Sequence, residues 1–157
     1  MQMESQLEKA VLVEATPEEV WRAWTTVEGV KTFFAVDARI ELRVGGEYEI
    51  YFDSSASEGE RGSEGCKVLS YVPGSMLSFS WNAPPQFEKT REERAQWVVL
   101  FFLPVGERRT LVRFLELGWT DDEESQQVYR YFDRAWTLVL TNLVQAFANG
   151  QPRSNGA

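Results

Sequence analysis

One amphipathic period near the end of the chain constrains the fold more than any other feature. From residue 123 to about 148, Val128, Tyr131, Phe132, Ala135, Val139, Leu143 and Phe147 share one helical face. Gln126, Arg130, Asp133, Arg134, Thr137, Thr141 and Gln145 share the other. Thr120-Asp121-Asp122-Glu123 reads as a capping box, with extra acidic residues favoured by the helix dipole rather than gathered for a metal. Asn149-Gly150 and Pro152 read as a stop. At about 1.5 Å per residue such a helix spans roughly 39 Å. A helix that long, with rings along one side, needs a broad apolar partner surface.

The rest of the chain supplies candidates for that surface. Residues 7–15 alternate as a strand, with Leu7, Val11 and Val13 on one face. Thr16-Pro17-Glu18-Glu19 then predicts a capped helix start with proline at its first position. A short helix burying Val20, Trp21 and Trp24 should follow. A second helical turn over 27–34 docks Phe33 and Phe34. Strand patterns follow at 38–44, 47–52, 66–72, 76–81, 96–103 and 110–119, with Gly45-Gly46 and Pro73-Gly74 as turns. Residues 53–65 read as a solvated loop. Residues 82–95 read as a polar loop long enough to suggest a function, with Phe87 as a candidate lid against the plainer reading of a ring packed on the loop's base. Residues 96–103 are apolar on both faces, as in a central strand. The order predicts an α+β fold: a curved antiparallel sheet of about six to seven strands wrapped on the long C-terminal helix, with two short helices after the first strand. A space should remain between the concave face and the helix. Residues 1–150 are expected to form a single domain, and 151–157 a disordered tail.

Composition narrows the chemistry. The 157 residues suit one domain, and no apolar run reaches the length of about 18 that a membrane span needs. Sixteen Lys and Arg against 24 Asp and Glu give a net charge of −8, which disfavours nucleic acid and anionic membrane surfaces as partners. There is no histidine, so Ser-His-Asp and Cys-His activation and His-ligated metals are excluded. The single cysteine, Cys66, reads as a small buried hydrophobe. One thiol and a start without signal-peptide character fit a reducing cytoplasm. No metal or covalent cofactor is expected. Six Trp, five Tyr and ten Phe mean either a core of large rings or a ring-walled cavity.

Several motifs carry a resemblance. Thr16-Pro17-Glu18-Glu19-Val20-Trp21-Arg22-Ala23-Trp24 resembles the opening of the SRPBCC, or START-like, superfamily, in particular the branch related to the activator of the heat-shock protein 90 ATPase. Gly45-Gly46-Glu47-Tyr48, Pro73-Gly74-Ser75-Met76-Leu77, Trp81-Asn82-Ala83-Pro84-Pro85, Trp97-Val98-Val99, Gly118-Trp119 and Tyr131-Phe132-Asp133-Arg134-Ala135-Trp136 extend it over residues 8–148. The resemblance implies a helix-grip fold with a cavity between sheet and long helix. Members include lipid carriers, hormone receptors, aromatase/cyclases and chaperone cofactors. Two positions depart: Glu116 stands where similar proteins often carry histidine, and Ala135 where many have glycine.

Candidate site residues follow. Glu116 alternates with Val112 and Phe114; if that face lines the cavity, its carboxyl becomes an acid, base or ligand anchor with a raised pKa. Otherwise it pairs with a basic group or reaches solvent. The opposite face of strand 110–119, with Leu111, Arg113, Leu115 and Leu117, is equally apolar, so the pattern leaves the choice of face open. Asn142 falls on the helix's apolar face, for a ligand contact or a structural hydrogen bond. Trp24, Phe33, Phe34, Tyr48, Trp81, Trp97, Phe114, Tyr131, Phe132, Ala135 and Trp136 are candidate cavity walls, each with core packing as its alternative. The leading reading is binding of a small, largely apolar or aromatic molecule. A chaperone-ATPase-interacting cofactor is the alternative from the resemblance. A cyclase- or hydrolase-like enzyme using Glu116 ranks below both, because nothing here activates a nucleophile near neutral pH. The chain would be a monomer or a homodimer, the latter through an edge strand.

Overall fold

The computed structural model describes residues 6–148. The expected helix stop at 149–152 and the tail at 151–157 lie outside them. The elements run β1 (Leu7–Val13), α1 (Pro17–Thr25), α2 (Val27–Val30), β2 (Asp37–Ile40), β3 (Tyr48–Tyr51), β4 (Val68–Val72), β5 (Met76–Ser80), α3 (Glu88–Glu93), β6 (Trp97–Pro104), β7 (Thr110–Leu117) and α4 (Glu123–Ala146). This is the α+β, helix-grip arrangement: antiparallel strands against one long C-terminal helix, with two short helices after the first strand.

Local chemistry explains the early elements. The Thr16 hydroxyl accepts the Glu19 N–H at 3.2 Å, and the Glu19 carboxylate accepts the Thr16 N–H at 3.0 Å, a complete capping box. Thr26 closes α1 and opens α2: its hydroxyl donates to Arg22 O at 2.8 Å and accepts the Gly29 N–H at 3.0 Å. Gly29 is required there, since a Cβ would sit 2.5 Å from the Ala23 Cα.

The strands divide as five plus two, in the orders β1-β7-β6-β5-β4 and β2-β3. Residues 41–46 leave the ladder in a compact turn, closed by Gly46 N–H donating to Arg43 O at 2.8 Å, so the strand expected over 38–44 ends at Ile40. The ribbon still abuts the sheet: Tyr48 N–H donates to Cys66 O at 2.9 Å, and Val68 N–H to Gly46 O at 2.8 Å. Cys66 is buried there, and burial pushes its thiol pKa up to about 12.

Three expectations are corrected. Residues 53–65 are not simply solvated: Ser63 is fully buried, with its hydroxyl accepting the Ile50 N–H at 2.7 Å, and Glu64 accepts the N–H groups of Arg61 and Gly62 at 2.9 Å. Residues 82–95 are not all loop, because α3 forms within them and ends at Arg94 in the left-handed region (φ 49°). The cap of α4 is Asp122, which accepts the Ser125 N–H at 3.1 Å; Thr120 instead donates its hydroxyl to Asp122. Glu124 accepts the Thr90 N–H at 2.7 Å, tying α3 to α4.

On β7 the inward residues are Val112, Phe114 and Glu116, while Leu111, Arg113, Leu115 and Leu117 point outward. The deeply buried stripe of α4 runs through Val128, Phe132, Trp136, Leu140 and Leu143. Tyr131, Ala135 and Val139 flank it half-buried, so the buried face is turned by about one residue from the expected one. The large Trp136 indole and Leu140 claim the sheet.

Candidate functional site

The space beneath the middle of α4 is filled with rings. The Trp136 ring lies 4.6 Å from Phe114, 5.1 Å from Trp81 and 5.5 Å from Phe34, centre to centre. The hollow lies along the flank of α4. It encloses about 430 Å³, within the usual range for small-molecule sites. Its apolar lining includes Phe34, Phe52, Trp81, Tyr131, Phe132, Trp136, Ala135 and Val139, and its polar lining Asp53, Glu60, Arg61, Asn82, Gln86, Arg91 and Asn142.

Two of the segments that line this space are tied together by one side chain. Arg91, on α3, donates to Ala83 O at 2.6 Å and to Gly62 O at 3.0 Å, and also to Gly59 O. Its guanidinium stands 3.7 Å from the Glu64 carboxylate. Asn82 donates to Gly62 O at 3.3 Å. Gly62 presses so closely on β3 that a Cβ would lie 1.8 Å from Ile50 O. One cation therefore pins both segments of the lining through backbone carbonyls.

Behind the back wall sits Glu116, fully buried. The Trp136 Nε1–H donates to its Oε1 at 2.9 Å, and Oε2 has no partner among the described residues. Burial drives the carboxyl pKa well above the ordinary range, and the Trp136 hydrogen bond offsets only part of this. Glu116 does not line the hollow; Trp136 stands between. The Trp81 indole N–H is likewise buried without an acceptor among the described residues.

The structure brings Phe34, Trp81, Tyr131, Phe132, Ala135, Trp136 and Asn142 together around the hollow. Phe33 lines a smaller, more polar one of about 290 Å³, which shares Phe34 and Asn142 with the first. Phe114 and Glu116 support Trp136 from behind. Trp24 and Tyr48 belong to the core: the Tyr48 hydroxyl donates to Trp24 O at 2.7 Å, and its ring stacks on Phe79. Trp97 points the other way, 36% exposed on the outer face, because the alternation of β6 sends Val98, Leu100 and Phe102 inward. Asn142 is half-buried rather than in the middle of the apolar face, and its amide reaches Phe33 O only at 3.5 Å. Phe87 packs edge-on against Tyr131 at 6.1 Å, at the start of α3, and is not part of the lining. Sequence reasoning missed Phe52, Arg61, Asn82 and Arg91. The alternation of Phe52 with Tyr48 and Ile50 was a usable signal for the first. Arg61 and Asn82 lie in loops, and Arg91 on the short α3, and their meeting beside α4 has no local signature.

Residues 14–148 match the family described as activator of Hsp90 ATPase homolog 1-like protein. Among solved structures the chain is similar to a protein of Mesorhizobium loti, at 20% identity and TM-score 0.69, over 92% of this chain and 98% of that one. It is similar to the Aha1 dimer from Colwellia psychrerythraea, at 19% identity and TM-score 0.69, over 93% and 98%. It is also similar to an HSP90 activator from Plasmodium falciparum, at 15% identity and TM-score 0.68, over 91% and 96%. At these identities the likeness is one of fold. No curated protein matches the chain.

Proposed function

The chain belongs to the family of activator of Hsp90 ATPase homolog 1-like proteins, and on that footing we propose that it binds a small, largely apolar or aromatic molecule in the hollow beside α4. The observation that carries this reading is a ring-walled space of about 430 Å³ with polar groups in its lining. An apolar body would lie against Phe34, Trp81 and Phe132, and a polar end would meet Arg61 or Asn142. Glu116 lacks a contact with this space, so the geometry favours binding over acid–base chemistry by that carboxyl. A reducing cytoplasm suits a chain whose single thiol is buried. The test is a thermal-shift and native mass-spectrometry screen of lipids and aromatic metabolites, repeated on Ala135→Trp, which fills the hollow from its edge. A hit should weaken at least about tenfold in the variant. A screen without hits, or hits indifferent to the substitution, would reject the site.

The family description supports a second reading, contact with a chaperone ATPase. Added chain should then change the ATP turnover of the purified chaperone. Unchanged turnover at saturating concentration would end that reading.

A further inference from the structure

We propose that the outer face of the five-stranded sheet is an interface between two copies of this chain. An antiparallel sheet with one face in water alternates apolar and polar residues. β6 and β7 do not. Their outward side chains include Trp97, Phe101 and Leu103 on β6 and Leu115 and Leu117 on β7, and Leu12 of β1 continues the face at 48% exposure. The register sets them side by side: Trp97 opposite Leu117, Leu103 opposite Leu111, and Leu111 opposite Leu12. Among the described residues no helix covers this face; α1 and α4 pack on the inner one.

Size and charge select the occupant. Strands of 7, 8, 8, 5 and 5 residues in β1, β7, β6, β5 and β4, at about 3.3 Å per residue and about 4.8 Å apart, make a face on the order of 500 Å² in projection. That is about two thirds of the area, roughly 800 Å², that each partner buries in a stable complex. On a chain of net charge −8, the outward charged residues of these strands are Glu8 on the edge strand β1 and Arg113 on its neighbour β7, joined at 2.8 Å. A face bearing one charge of each sign is complementary to itself. A two-fold axis through it sets Arg113 of each copy against the other copy's Glu8, as an isologous interface requires. A partner surface of one sign would oppose one of the two with a like charge. Two such faces pack as aligned sheets about 10 Å apart.

Sedimentation equilibrium of the full chain from about 1 to 100 µM tests this, with circular dichroism confirming the fold. The wild type should dimerise. Glu8→Arg and Arg113→Glu, both at exposed positions, should each weaken the dimer at least about tenfold, and mixing the two variants should restore a heterodimer. Trp97→Lys, at the exposed end of the same face, should also weaken it. A monomer at the highest concentration would overturn the proposal. So would a dimer indifferent to all three substitutions, which would point instead to pairing along the β1 edge.

Discussion

Two stripes of α4 lie about 100° apart, one residue step around the same helix. The first, through Val128, Phe132, Trp136, Leu140 and Leu143, meets the inner face of the sheet and is sealed. The second, through Tyr131, Ala135, Val139 and Asn142, borders the hollow. Both are largely apolar, so hydrophobicity alone does not explain why one is packed and the other open. The difference lies in what each stripe faces. Sheet side chains project in a regular array and interdigitate with the first stripe. The second faces loops 52–62 and 82–91, whose backbone is tied to Arg91 and cannot settle onto the small Ala135. A cavity in a folded chain needs a wall that is prevented from collapsing, and here the half-buried Arg91 guanidinium braces that wall through backbone carbonyls.

The contrast between the stripes can be attacked in order of expected effect. Trp136→Ala should cost about 4 kcal/mol in urea denaturation, through the lost ring contacts and the stranded Glu116 acceptor. A cost under about 1 kcal/mol would mean that the first stripe is not packed as described. Arg91→Ala should cost about 2 kcal/mol and speed limited proteolysis within 53–65, since the Ala83 and Gly59 carbonyls lose their Arg91 donor and Gly62 O keeps only Asn82. Unchanged cleavage would break the account of how the wall of the hollow is braced.

Glu116→Gln sharpens the comparison through pH. The folded carboxyl pKa is raised, so between the unfolded value of about 4.3 and the folded one the folded state binds more protons than the unfolded. Wild-type stability is therefore fully present below about pH 4.3 and declines as pH rises toward the folded pKa, by up to about 1.4 kcal/mol per unit. The variant lacks that slope. It should match the wild type near pH 4 and exceed it near pH 8, in parallel thermal melts. Identical pH profiles would remove Glu116 from the sealed interior. The smallest change is expected from Ala135→Trp, within about 0.5 kcal/mol of wild type, because that side chain enters existing space. A large loss would show that the second stripe is packed after all.

Much of this was legible beforehand. The period over 123–148 placed α4, and the Thr16 box opened α1 at the right residue. The alternation Val112-Phe114-Glu116 put these residues on one face but could not say which face was inward, since the other is also apolar. Trp97 was misplaced for the same reason: a strand apolar on both sides carries no sign. Asp122 displaced Thr120 as the cap of α4 because both residues offer a side-chain oxygen near the helix start, and only the final path of the chain selects one. The walls built from 52–62 and 82–91 were unreadable, because Arg91 meets carbonyls about thirty residues away in a pairing without sequence period.

Local periodicity and capping chemistry were enough for the helix-grip frame, because spacing along the chain is what those interactions obey. Which side of each apolar strand became interior, and where a hollow survived, was settled by long-range packing. Those outcomes depend on how large rings, a buried carboxyl and one guanidinium share a common volume, and no short stretch of the chain contains that information.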